Sequence, residues 1–174
     1  MEPPNSDNFP ARDFVNDPVS FATCEAFQSG ALHVLEGARF SLNLLLERLD
    51  EAALNIADIS SHITRISRHA RSRTDIRILV KLPEPLNPAH PLVDLARKLP
   101  SVVQVRVLTT QPSDTRMSYL IGDRACLLFR HDSDSYHGYY SETEKPRVVS
   151  LLDEFNHLWG MHSAPLPSLR QLYL

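Results

Sequence analysis

Apolar residues recur along this chain in alternating blocks, some with period two and some near four, and that alternation predicts strands and helices in turn. Phe27, Ala31, Val34, Leu35 and Ala38 have helical spacing behind Thr23, a capping residue, with Glu25 suited to the positive helix end and Gly37 as the stop. Phe40, Leu42, Leu44 and Leu46 then alternate over residues 39–46 and predict a first strand. A helix from Asp58 to Arg71 follows, with Ile59, Ile63, Ile66 and Ala70 on one face. Residues 75–81 are β-rich and stop at Pro83, Pro85 and Pro88, which cannot donate to a ladder. Leu92, Leu95, Ala96 and Leu99 predict a short helix that starts at Pro91 and is closed by Pro100, and Val103, Val105 and Val107 a third strand. A β-α-β-α-β order implies parallel strands.

Residues 117–121 and 125–129 flank Gly122-Asp123-Arg124 and read as an antiparallel hairpin at or near the sheet edge. Ser141-Glu142-Thr143-Glu144 resembles a capping box, Pro146 suits a first turn, and Val148, Leu151, Leu152, Phe155 and Trp159 form an apolar stripe ending at Gly160. Phe155 and Trp159, four apart, are expected to anchor this last helix. The expected fold class is α/β, a mixed, mostly parallel sheet flanked by helices. Residues 1–18, rich in Pro, Asn and Asp, read as a mobile tail before a domain spanning 19–174.

Composition narrows the function classes. The chain has 174 residues, 43% apolar and 22% charged, which suits one globular domain. A formal net charge of −3 gives no long-range attraction to phosphate backbones, so nucleic acid is an unfavoured partner. The first residues lack a basic, apolar leader and runs such as Leu44-Leu45-Leu46 are too short to span a bilayer, so no membrane association and a cytoplasmic location are expected. Cys24 and Cys126 lack metal or redox spacing and read as reduced core thiols. No cofactor is expected, since no glycine-rich cofactor loop is visible.

Several clusters carry candidate chemistry. The loop from His131 to His137 gathers two imidazoles and two carboxylates, and its first reading is a polar turn in which Asp and Ser bond their own backbone. His131, Asp134 and His137 as ligands of a divalent metal are the alternative. Tyr136, Tyr139 and Tyr140 beside Gly138 roof a core edge or stack on a ligand. Arg65, Arg68, His69, Arg71 and Arg73 form a basic strip, read first as a solvated helix face. His157 and His162, five apart, do not share a helical face, and His90 serves a turn beside prolines. In open α/β sheets ligands sit beyond the carboxyl ends of parallel strands, which points to Glu47, Arg48, Lys81 and Thr109-Thr110.

The stretch Arg116-Met117-Ser118-Tyr119-Leu120-Ile121-Gly122-Asp123 resembles the catalytic strand of the phospholipase D superfamily, His-x-Lys-x-x-x-x-Asp. Arg116 stands at the His position, Ser118 at the Lys position, and Asp123 alone matches. In the superfamily's second pattern, Gly-Ser-x-x-Asn, the counted positions hold Arg130, His131 and Asp134. A guanidinium stays protonated and cannot attack phosphorus, so catalytic residues of the usual mechanism are absent.

Residues 38–174 resemble more closely an uncharacterised proteobacterial domain of unknown function with this fold, often found behind a GNAT-type acetyltransferase. Arg77-Ile78-Leu79-Val80, the run His90 to Arg97, Arg130, Asp134, Tyr136, Gly138, Phe155, Trp159, Arg170 and Leu172 carry that likeness. The segment before Phe14 is too short to house the acetyltransferase. The resemblance implies one phospholipase D-like half that binds a partner protein or a small anion, with Arg48, Lys81, Arg116 and Arg130 around the mouth. A rewired, metal-dependent phosphodiesterase through His131, Asp134 and His137 is the second reading. Because active superfamily units place two halves face to face, a homodimer is expected, with cover by the segment 166–174 as the competing arrangement.

Overall fold

The computed structural model describes residues 18–49, 59–69, 75–82, 89–110 and 116–170. In chain order the elements are β1 (Val19–Phe21), α1 (Cys24–Gly37), β2 (Ser41–Leu46), α2 (Ile59–His69), β3 (Asp75–Val80), α3 (Pro91–Lys98), β4 (Val103–Leu108), β5 (Ser118–Gly122), β6 (Cys126–Arg130), β7 (Gly138–Ser141), α4 (Lys145–Met161), β8 (Ser163–Pro165) and α5 (Pro167–Arg170). The eight strands form one sheet in the order β1-β7-β6-β5-β2-β3-β4-β8. Of the expected tail, residues 1–17 lie outside the described residues.

The β-α-β-α-β unit forms as the pattern predicts, with β2–β3 and β3–β4 parallel. The sheet as a whole is a correction: its other five pairings are antiparallel, so it is mixed and mostly antiparallel. Two short strands and one reinsertion account for the difference. β5 does not extend the parallel run but returns to pair with β2, which puts the β5–β6 hairpin inside the sheet and not at its edge. The edges are β1 and β8, three residues each, and β8 ends in a proline that cannot donate a ladder hydrogen bond. The hairpin surface on which the homodimer expectation rested is therefore covered.

Two apolar layers sandwich the sheet. On one side α1, α2 and α3 pack on Leu42, Leu44, Leu46, Ile76, Ile78, Val80, Leu120 and Leu128. On the other, α4 covers Leu45, Leu79, Tyr119, Ile121, Leu127 and Phe129. Burial on both faces explains why β2 reads as a nearly continuous apolar run, as in any strand covered on each side. Leu166, fully buried, and Leu169 join the α1–α3 layer, so residues 163–170 lie back beside β4 and not over the hairpin, and residues 171–174 lie outside the described residues.

Local signals hold in part. Thr23 caps α1 by accepting the Ala26 N–H at 3.1 Å. His90 caps α3, its Nδ1 accepting the Leu92 N–H at 3.2 Å, and is 4% exposed. The capping box at 141–144 is not formed. Ser141 is the last residue of β7, its Oγ accepts from the N–H groups of Thr143 and Glu144, and α4 starts at Lys145 without a side-chain cap. Gly138 opens β7, and a Cβ there would meet the Phe129 carbonyl oxygen at 2.0 Å. Only glycine lets β7 approach β6 at that register.

Phe155 is fully buried and Trp159 stacks on it at 5.7 Å, while Arg77 and Arg106 lie over the indole at 5.5 and 5.1 Å. Arg106 also donates to the Trp159 carbonyl at 2.7 Å. The two rings do anchor α4, but unequally, since Trp159 is only partly buried. Phe155→Ala is expected to cost about 3–5 kcal/mol and Trp159→Ala distinctly less, read as shifts in urea midpoint. Equal losses, or no loss for Phe155→Ala, would contradict this division.

Candidate functional site

Arg116, Ser118 and Asp123, the three positions of the stretch that resembles a phospholipase D strand, lie in different surroundings. Ser118, 2% exposed, faces Arg130 across the β5–β6 ladder. Arg116 is exposed and forms an ion pair with Asp134. Asp123 sits at the hairpin tip, and its carboxylate accepts the backbone N–H groups of Arg39 and Phe40 at 2.8 Å and of Ser41 at 2.9 Å. Asp123 and Arg124 both have positive φ, 50° and 59°, as the central residues of a turn closed by the Ala125 N–H on the Gly122 carbonyl at 3.0 Å, within a three-residue connection between the paired Gly122 and Cys126.

The candidate cations are placed in different surroundings. Lys81 follows β3, is 8% exposed, donates from Nζ to the Met117 carbonyl at 2.8 Å and lies 3.6 Å from Glu47 Oε2. Burial pulls the Lys81 pKa below its usual value, while Glu47 and Glu154, on α4, push it back up. Arg130, 6% exposed, lies over the rings of Tyr136 at 4.3 Å and Phe27 at 5.8 Å. Its Nε donates to the carbonyls of Asp132 at 3.0 Å and Ser135 at 2.6 Å, and its guanidinium also reaches the Ser133 carbonyl. Lys81 therefore belongs to the α4 side of the sheet and Arg130 to the α1 side. Arg48 is exposed at the end of β2. Thr109 and Thr110 are joined to the end of α4, through Thr109 N–H to the His162 carbonyl at 2.9 Å and Thr110 Oγ1 to His162 Nδ1 at 2.9 Å.

The loop 131–137 turns its carbonyls onto Arg130. Among the described residues no group of three His, Cys, Asp or Glu side chains is placed to hold a metal. His131 turns its ring toward Phe129 and Tyr139, at 5.1 and 5.9 Å, whereas Asp134 faces Arg116. His131 and His137 meet through their backbones, N–H to carbonyl at 3.0 Å.

The histidines at 157 and 162 correct the spacing rule. Their rings lie 5.1 Å apart because His162 has left helical geometry as the C-cap of α4. Arg65 donates to the carbonyls of Leu35, Glu36 and Ala38, closing the end of α1. It also lines, with Arg68 and three hydroxyl residues, an open cavity of about 370 Å³ on α2. Arg71 and Arg73 lie outside the described residues. Cys126 is half-buried, and burial raises its thiol pKa, which makes it a poor nucleophile at neutral pH.

One aromatic arrangement escapes sequence reasoning. Phe129, His131, Tyr139, Glu144, Pro146 and Arg147 line a cavity of about 500 Å³ where β6 and β7 meet the start of α4. Arg147 lies over the Phe129 ring at 5.1 Å, and Tyr139 donates its hydroxyl to Glu144 Oε2 at 2.9 Å. The signal in the sequence is alternation: Phe129 on β6 and His131, just beyond its end, are two apart and share a face. Seeing it requires knowing that residues 138–141 are a strand and which strand they adjoin.

The fold and these contacts define a single mixed α/β sheet domain whose motif positions are structural. The chain belongs to a family described as a domain of unknown function (DUF7931), which matches residues 23–172. No curated protein matches it. Among solved structures it is similar to TrmBL2, an archaeal chromatin protein with a novel mode of DNA binding, at TM-score 0.59 and 17% identity over 85% of this chain and 55% of that one. It is also similar to the phosphatidylserine synthase of Haemophilus influenzae Rd KW20, at TM-score 0.48 and 8% identity over 90% of this chain and 41% of that one. The chain thus spans about half the length of the structures it matches. The likeness to TrmBL2 is one of fold. Among the described residues no helix is long and apolar enough to cross a membrane.

The buried pair gives a direct test. Lys81→Met leaves the Glu47 carboxylate unpaired and is expected to cost about 3 kcal/mol, whereas the double variant with Glu47→Leu recovers most of that loss. Because the folded-state pKa of Lys81 lies below 10.5, its share of stability is present above that pH and is lost as pH falls through the folded value. Unfolding free energy measured against pH should therefore rise across that window in the wild type and be flatter in the double variant. A double variant as weak as the single one would show that the pair is not coupled.

Proposed function

We propose that the chain is a non-catalytic binding or regulatory domain on a degenerate phospholipase D scaffold. One observation carries this: no position of the resembling strand holds a nucleophile, since Arg116 is a guanidinium paired with Asp134, Ser118 is buried within the sheet and Asp123 is bound to three backbone amides. Phosphoryl transfer through a covalent intermediate needs a nucleophile that can lose its proton and a cation beside the phosphoryl oxygens. The imidazole of His131 packs against Phe129 and Tyr139, on the face opposite Arg130. The implied placement behind a GNAT-type acetyltransferase suits an accessory role of this kind.

A small anion remains within this reading, though not at a four-cation mouth. Lys81 is paired with Glu47 and Arg130 is hydrogen-bonded to loop carbonyls on opposite sides of the sheet, which leaves Arg48 and the ion-paired Arg116 as exposed members of that set. DNA binding is said of TrmBL2 and is not adopted here, because a net charge of −3 works against phosphate contacts.

The purified chain is expected to release no nitrophenol from bis(p-nitrophenyl) phosphate, with or without added zinc or manganese, and to leave a labelled duplex unbound at physiological salt. Turnover abolished by a substitution at His131 would overturn the non-catalytic reading, and salt-sensitive duplex binding would favour a nucleic-acid role.

A further inference from the structure

We propose that the cavity at the junction of β6, β7 and α4 binds a planar heteroaromatic ring of the nucleobase class, presented by a small nucleoside or nucleotide. The inference rests on the binding reading above and names its ligand. The volume, about 500 Å³, lies in the range of small-molecule pockets, roughly 300–1,000 Å³. Three rings line it, Phe129 lying 5.1 Å from His131 and 5.6 Å from Tyr139, with the half-buried Tyr139 and the exposed His131 as the accessible ones. Arg147 adds a guanidinium plane over Phe129, a surface on which an electron-rich ring stacks.

The charged groups select among planar ligands. Glu144 and Arg147 bring opposite signs to one rim, so the site has little net field for a bare anion, and the carboxylate repels one at short range. A hydrocarbon ring would desolvate both groups and offer neither the remaining carboxylate oxygen nor the guanidinium a hydrogen bond. A nucleobase edge carries an N–H donor beside a carbonyl or ring-nitrogen acceptor and satisfies both at once, the donor on Glu144 and the acceptor on Arg147. Tyr139 fixes the carboxylate by donating to Oε2. Burial and the nearby Glu144 raise the Tyr139 pKa, so that hydroxyl keeps its proton at neutral pH.

The test is titration of the full chain, followed by amide and side-chain NMR shifts, with the four ribonucleosides, their monophosphates, inorganic phosphate and benzoate. Saturable shifts clustered at Phe129, His131, Tyr139 and Arg147 are expected for at least one nucleoside, and they persist without the phosphate group. Glu144→Gln and Arg147→Ala, both surface substitutions, should each weaken that binding by roughly tenfold while leaving the spectrum of the free protein dispersed. Tyr139→Phe should weaken it less. Shifts with phosphate or benzoate alone, or no cavity shifts with any nucleoside at millimolar concentration, overturn the proposal. A single-stranded oligonucleotide distinguishes the source of the base: affinity that grows with strand length and falls steeply with salt overturns the small-ligand assignment. Phosphodiester turnover would sink the non-catalytic reading without touching these titrations.

Discussion

The position of the β5–β6 hairpin depends on the carboxylate of Asp123. It gathers three consecutive backbone N–H groups, from Arg39, Phe40 and Ser41, at the corner where α1 gives way to β2, and its own N–H returns to the Ser41 carbonyl. Charge-assisted bonds to backbone amides are among the stronger hydrogen bonds in proteins. They matter here because β2 is the strand at which parallel pairing changes to antiparallel. A slip of one residue would exchange the two faces of β5 and set Leu120 and Ile121 in each other's layers. Gly122 lies beside this latch, where a Cβ would come within 3.0 Å of Val34 Cγ1. The single residue that matches the phospholipase D strand is thus used to set register.

What was legible in the sequence follows from interaction range. The helices at 24–37 and 91–98 and the parallel unit are local patterns with local caps, and they form where Thr23, His90 and the alternating leucines and valines place them. β1 and β8 are too short to show a period, and β7 hides behind Gly138. Their existence is decided by partners far away in the chain, Tyr140 for Val19 and Arg106 for Pro165. The misjudged balance of parallel and antiparallel strands has the same origin: β5 chooses β2 by tertiary packing, which no window of sequence reports.

The candidate site was legible in residue type but not in direction. Lys81 and Arg130 are cations near the same end of the sheet, and grouping them assumed that they point the same way. In the fold Lys81 shares the α4 side with Glu47 and Glu154, and Arg130 shares the α1 side with Phe27. Neighbouring residues of a strand face opposite layers, so parity and strand order together decide which charges meet. The same parity divides the adjacent tyrosines. Tyr139 opens toward Glu144 and Arg147, while Tyr140 is buried beside the His33 ring and donates to Glu142 at 2.6 Å.

Charge satisfaction then separates structural groups from functional ones. A buried cation is retained only when its donors are met, and Arg130 meets them with the carbonyls of its own loop, so that loop 131–137 serves as the counterpart of one guanidinium. Lys81 spends a donor on the Met117 carbonyl and balances Glu47. Such groups cannot bind a ligand without unmaking part of the core. Arg147 differs: it is exposed, lies over an aromatic face and borders open volume beside a carboxylate held by a single hydroxyl. Where polar groups and flat apolar walls border accessible space, a ligand displaces water without displacing structure, and that condition is met where the first turn of α4 passes over β6.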